Sequence, residues 1–349
     1  MDALHADLVE YNQLYDIYND YDGVTNIKTI NDNAGIAPVT VDDKILGMLE
    51  LAQTMKFNPI PMILSEVFCA NLGGAATMCG DPPNIIVGTS LGYTFFDFIS
   101  NTGVAVAICF VLVLIYFVLC FRKRLLRDEK NSGAAVCPQP GTAITNRPAF
   151  LLSAGVFLLA VILLATHAQT KLTVACIGVI VAALSLVVIG CTSGGKAVLE
   201  IIKGVDYKTL LFFIGLFVSV AGLKETGVLD VIARFITTVS GGNAAIIVVI
   251  ILWISAVTSA FVDNIPFAAT MIPVVRSIAA ASGIDIGVLA WALSLGTDLG
   301  GNATPIGASA NVVGTAIAAK SGHPISWKKY CGPMVPAAIL VVMISMVII

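Results

Sequence analysis

The chain has 349 residues, 57% of them hydrophobic and only 12% charged, with a formal net charge of -3 and a mean hydropathy of +0.92. Those values exclude a soluble globular domain and place the chain in a bilayer. The small net charge says little about partners, since charge is informative here by side of the membrane rather than by sum; no nucleic-acid partner is expected.

In chain order, residues 1–57 form an atypical polar, acidic segment. Residues 1–21 lack an apolar core, so they are not expected to be a secretory signal. Asp32 and Asn33, followed by Ala37, Pro38 and Val39, faintly echo a pattern that returns near residue 263 and are read as a hairpin remnant. Asp42, Asp43, Lys44 and Glu50 would be expensive in lipid.

The first polar interruption of an apolar stretch is LGGAATMCGDPPN at 72–84. Unpaired backbone is tolerated at membrane depth only where it is packed in protein or lines a watery cavity, so the segment is expected to break a spanning helix. Residues 59–71 and 85–97 are the expected half-helices, with Gly73, Gly74 and Gly80 permitting the turn between them. Asp81 is expected to cap the second half, with Pro82 at its first position, where a missing N–H is tolerated. Asp97 reads as interfacial.

An apolar run at 102–121 is long enough to cross about 30 Å of hydrocarbon. The linker 122–147 follows, carrying Arg122, Lys123, Arg124, Arg127, Lys130 and Arg147, which marks it as cytoplasmic. Spans at 148–166, 172–190 and 209–223 come next, and by alternation the basic segments 191–208 and 320–329 are also inside, with the C-terminus outside. Residues 228–239, with Asp230 and Arg234 on one side, read as an amphipathic connector in the interface.

SAFVDNIPFAATMIPV at 259–274 is a further interruption, set between apolar arms 246–262 and 265–280. Two full spans would hold Asp263 and Asn264 at the membrane surface. A re-entrant hairpin would hold them at its tip near the midplane, where an ionisable residue is a functional candidate. Arg276, in the second arm, is expected to snorkel outward or to pair with an acid.

The next interruption, LGGNATPIGASAN at 299–311, repeats the first at an offset of 227 residues as L-G-G-x-A-T-x-x-G-x-x-x-N, with Ser309 the expected cap, and a last span covers 330–349. An odd number of steps separates the copies, so they cross in opposite directions, and inverted repeats of this kind mark secondary transporters. Each break sets the partly positive N-terminus of one half-helix beside exposed carbonyls of another. The fold expected is an all-α polytopic membrane protein of inverted repeats with broken helices and a re-entrant hairpin. Its first repeat is incomplete (58–121), and its second (148–349) is complete.

The eight cysteines show no CxxC spacing and read as small buried hydrophobes. No His/Glu metal pair or nucleophile elbow speaks for an enzyme. Glu66 and Asp298 lie within the broken-helix segments and are candidates to face the cavity as cation or proton ligands; Asp298 aligns with Asn71, so for it a structural hydrogen bond stays open beside a bound cation.

GDPPN, SAFVDNIPFAATMIPV, LGGNATPIGASANVV and TLLFFIGLFVSVAGLKETGVLD together resemble the ion transporter superfamily, specifically its arsenite-permease and sodium/proton-antiporter branch, which includes P protein-like and citrate-transporter-like permeases. The resemblance covers residue 58 to the C-terminus and makes the chain look N-terminally truncated, three scaffold spans short. It implies an elevator-type motion and places binding residues at Asp263 and Asn264 and in the breaks, including Thr77, Asp81, Asn84, Thr304 and Asn311. With Asp298, these are the expected substrate- and ion-binding residues, and Gly73, Gly74, Gly80, Gly300, Gly301 and Gly307 form the backbone breaks. The expected function is secondary transport of an inorganic ion or small carboxylate. The coupling ion would be H+ or Na+, a Na+ being held at the breaks, and no metal or other cofactor is expected. A homodimer in the plasma (inner) membrane is expected. The alternative is a truncated, non-transporting membrane fragment.

Overall fold

A computed structural model describes residues 60–129, 147–205, 207–320 and 323–349, so the N-terminal segment, its hairpin remnant and most of the 122–147 linker lie outside the described residues. The first broken helix consists of α1 (Ile60–Gly74) and α2 (Pro82–Leu91). The second half is shorter than the sequence suggests, because Gly92 adopts a left-handed conformation (φ 81°) and stops it, its N–H bonding Gly88 O. A new turn, α3 (Phe95–Phe98), starts at a capping box in which Thr94 and Asp97 bond each other reciprocally. A π-helical segment (Ile99–Gly103) leads into α4 (Val104–Glu129).

The second unit begins with α5 (Arg147–Ala165), a single turn α6 (His167–Thr170), and α7 (Val174–Ser193), capped by Thr173. Then come α8 (Gly195–Lys203), α9 (Tyr207–Glu225) and the amphipathic α10 (Val228–Val239), which has the bounds its apolar periodicity predicts. The hairpin is α11 (Ala244–Ser259) and α12 (Asn264–Ser282), with Pro273 inside the second arm. The second broken helix is α13 (Ile286–Gly300), a 3-10 turn (Gly301–Ala303) and α14 (Ser309–Lys320), followed by α15 (Trp327–Ile348).

Among the described residues, five stretches, Phe95–Lys123, Arg147–Ala165, Val174–Ser193, Asn264–Ser282 and Trp327–Ile348, are long and apolar enough to cross a membrane. The protein is an all-α polytopic membrane protein. α5 and α7 pack on one another, and α5 has no buried residue, so its apolar surface is turned outward.

The core lies where the two repeats meet. α1 packs against α14, α2 against α13, and α4 against α15, each a pairing of one repeat's element with the complementary element of the other. Phe68 and Phe117 meet edge to face with centroids 5.4 Å apart. Tyr116 donates to Pro333 O at 2.9 Å; Pro333 itself lacks the N–H that would bond one turn back. Of the cysteines among the described residues, only Cys109 is buried; Cys69, Cys79 and Cys331 are half-buried, and Cys120, Cys176 and Cys191 are exposed. The expectation that they are generally buried is thus corrected. In a bilayer a small apolar side chain needs no protein cover, so an apolar run does not identify its inward face.

Candidate functional site

Both repeated segments break their helices, and the repeated residues explain how. In the first, Asn84 donates its side-chain amide to Gly74 O at 3.3 Å and Thr77 O at 3.2 Å. In the second, Asn311 donates to Gly301 O and Thr304 O, both at 2.8 Å. The four atoms correspond at the repeat offset. An asparagine on the second half-helix therefore closes carbonyls that the unwound turn leaves without helical partners.

The glycines act at the same crossing. A Cβ on Gly74 would lie 2.9 Å from Gly80 O, and one on Gly301 would lie 2.8 Å from Gly307 O. A Cβ on Gly80 or Gly307 would run into Gly74 or Gly301 in turn, so in each break two backbone strands touch with no room for a side chain. Gly73 and Gly300, assigned to the breaks from sequence, sit within helices instead. Gly73 has open space where a Cβ would be. Gly300 and Gly296, one turn apart on α13, lie against Ala256 and Leu252 O, one turn apart on α11, in a small-xxx-small crossing that docks the hairpin arm.

The caps also differ from expectation. Asp81 occupies the N-cap position of α2, with Pro82 at the first helical position, but its side chain does not cap. Its carboxylate instead accepts from Asn264 at the hairpin tip, whose amide lies 3.4 Å from both oxygens. α14 starts at Ser309, so the expected cap is the first helical residue, and Ala308 stands where the first repeat has Asp81.

The hairpin tip binds the second break as well. Ser259 donates to Thr297 O at 2.6 Å, and Thr304 donates through its hydroxyl to Ala260 O. Across the repeats, Asn71 donates to Asn302 Oδ1 at 3.0 Å and Asn311 Oδ1 at 2.9 Å, while Ser294 donates to Asn84 Oδ1. Asn84, Asn302, Asn311, Ser294 and Thr297 are wholly buried, and Asp298 is 1% exposed with neither carboxylate oxygen bonded. Asp81 is near enough to act on Asp298 electrostatically. A buried polar cluster in so apolar a chain is costly unless its members satisfy one another, and it marks the place where substrate chemistry is expected.

Of the residues named from sequence, Asp81, Asn84, Asn264, Asp298, Thr304 and Asn311 converge here, and Thr77 joins through its carbonyl. Asp263 sits at the tip but is exposed, its carboxylate accepting from Ile265 N at 3.1 Å. Glu66 is exposed on α1. Arg276 neither snorkels freely nor pairs with an acid: it donates to Ser90 O near the end of α2, where carbonyls lack helical partners. Beside it lies a cavity of about 650 Å³, lined in part by Lys224, Asp230 and Ser277 and by none of the site residues expected from sequence. Sequence reasoning missed Ser294 and Asn302. A usable signal was present, because Ser294, Thr297 and Asp298 fall at i, i+3 and i+4 and share one helix face.

The citrate transporter family (CitMHS) matches residues 47–296. The chain is similar to a 46 kDa membrane protein of Mycobacterium leprae, 35% identical over 299 residues, which is 84% of this chain and 66% of that protein. It is also similar to an uncharacterized transporter of Mycobacterium tuberculosis (strain ATCC 25618 / H37Rv), 37% identical over 315 residues, 88% of this chain and 69% of that one. P protein of Mus musculus is 28% identical over 358 residues, 81% of this chain and 43% of its own. The chain spans about two thirds of the length of the bacterial relatives named here.

Proposed function

The chain belongs to the citrate transporter family, and from that premise we propose that it is a secondary active transporter, not an enzyme, of an inorganic ion or small carboxylate. The observation that carries this is the bond between Asp81 and Asn264, which joins the first break to the hairpin tip 183 residues away, inside a ring of buried amides and hydroxyls. Two half-helix N-termini, at Pro82 and Ser309, supply partial positive charge for an anionic substrate group. The carboxylates Asp81, Asp263 and Asp298 supply the balancing negative charge for the coupling ion, H+ or Na+. Thr77, Asn84, Asn264, Thr304 and Asn311 orient the site between them. In this reading 58–121 is a partial first repeat and 148–349 a full second one, and the hairpin and breaks move together against the scaffold in an elevator-like cycle. The membrane is the plasma membrane, with residues 122–147 on the cytoplasmic side, and the unit in the bilayer is a homodimer.

The test is flux into proteoliposomes with citrate, arsenite, chloride and Na+ offered in turn. One of them should enter saturably under an imposed H+ or Na+ gradient, and entry should fall in Asp81→Asn. No flux of any of the four would overturn the reading. It would favour the alternative, a membrane fragment without transport of its own.

A further inference from the structure

One contact between the two repeats occurs twice, related by the repeat offset, with different chemistry in its two copies. Position 71 of the first repeat faces Asn311 of the second, and position 298 of the second faces Asn84 of the first; both pairs are related by the repeat offset. On one side Asn71 donates to Asn311 Oδ1. On the other side the residue in Asn71's place is an acid, Asp298.

The hydrogen-bond inventory around Asp298 restricts its chemistry. Both amide hydrogens of Asn84 go to Gly74 O and Thr77 O, so Asn84 has only its Oδ1 left to offer, and of its two lone pairs one takes the Ser294 hydroxyl. The Thr297 hydroxyl is directed to Leu293 O and Ser294 O. Neither carboxylate oxygen of Asp298 has a hydrogen-bond partner, so a charged carboxylate would be buried unpaired. A carboxylic acid has the O–H that Asn71 supplies, as N–H, in the other half.

We propose that Asp298 is a proton-binding site, holding its proton as the donor to Asn84 Oδ1 while the cluster is closed and releasing it when the cluster opens. The inference rests on the transport reading for its purpose, since a proton held here and released to one side is a coupling ion. On opening, withdrawal of the tip admits water, the carboxyl O–H bond breaks, the proton passes to water, and the carboxylate left behind is hydrated. Few groups compete for this role. Asp81 acts on Asp298 from the first break. α12 brings Asp263, exposed and capping its own helix, and Arg276, committed to Ser90 O. α11 brings no ionisable side chain, Glu66 on α1 is exposed, and Lys328 and Lys329 are exposed at the start of α15, where Tyr330 is buried with an unpartnered hydroxyl.

The experiment is infrared difference spectroscopy of the full chain in lipid nanodiscs across a pH series. The wild type should show, near neutral pH, the carbonyl stretch of a protonated carboxylic acid that shifts in D2O. The band should vanish in Asp298→Asn, move in Asp298→Glu and persist in Asp81→Asn. Asp298→Asn should also melt no lower than the wild type, because asparagine is the residue the other repeat uses here. A wild type without the band, a band that survives in Asp298→Asn, or one lost in Asp81→Asn would each overturn the assignment. The spectrum is read without flux, so its failure leaves transport standing, and a failure of transport leaves the protonated acid standing.

Discussion

The amide of Asn71 donates to the side-chain oxygen of Asn311 at 2.9 Å, fastening two helix breaks that lie 240 residues apart in the chain. Both amide hydrogens of Asn311 are committed, closing Gly301 O and Thr304 O, while its oxygen accepts from Asn71.

Replacing Asn311 with Ala removes the side-chain donor from two buried carbonyls, leaving Thr304 O with Gly307 N–H alone. The expected loss is about 1–3 kcal/mol, by the cost of leaving a buried polar group unmade. Asn311→Asp should be worse, since a carboxylate turned toward two carbonyls repels them. Thermal unfolding of the purified chain in nanodiscs checks both, and an Asp variant more stable than the Ala variant would refute the bonding described.

Gly80→Ala and Gly307→Ala each push a methyl group into the facing glycine, Gly74 or Gly301, whose backbone cannot retreat without undoing the break. Both should fail to yield folded protein, or melt far below the wild type. Gly73→Ala, where a Cβ meets nothing within 4 Å, should be neutral. Yield after size-exclusion chromatography separates these outcomes.

The hairpin arm sits on α13 only because Gly296 and Gly300 have no side chains. A Cβ on Gly296 would lie 2.6 Å from both Leu252 O and Ser255 Cβ. Gly296→Leu should therefore detach α11 from α13, seen as an increase of at least tenfold in thiol labelling of a cysteine introduced at Ser255, which is wholly buried in the wild type.

Asp81→Asn keeps the shape of the side chain and removes its charge, leaving Asn264 facing an amide. Hydrogen bonds to charged groups contribute about 1.5–3 kcal/mol, so coupled flux should fall by roughly 10- to 100-fold. Asp263→Asn should abolish ion-coupled flux while the chain still inserts into the membrane; unchanged flux would remove Asp263 from the site.

Arg276 places a cation at the carbonyl end of α2. Arg276→Gln should destabilise the chain by about 1 kcal/mol, the scale of a charge at a helix terminus, and the effect should shrink in high salt. A melting point that does not change would mean the guanidinium is idle there.

Most of the helices were legible because a bilayer imposes a single rule, about twenty apolar residues per crossing, and the runs at 102–121, 148–166, 172–190 and 330–349 obey it. The breaks were legible for a different reason: glycine, proline and asparagine are so out of place among Leu, Val and Ile that their repetition announces a shared local shape. The individual roles were harder to read. Gly73 and Gly74 are adjacent and identical in sequence, yet only Gly74 touches the opposite strand, a matter of helical phase that spelling does not carry. Asp81 looked like a cap because it precedes Pro82, but the cap was overridden by Asn264, which arrives from a hairpin 183 residues later. Ser294 was hidden by its neighbours, since one hydroxyl in an apolar run more often bonds its own backbone than a distant amide.

Because each break is riveted by its own asparagine and the pair is riveted together through Asn71, neither kink has slack with which to straighten. In the elevator-like cycle proposed above, the two kinks would therefore move as one stiff plug. Among the described residues, α5 and α7 pack chiefly on each other and on the short helices beside them.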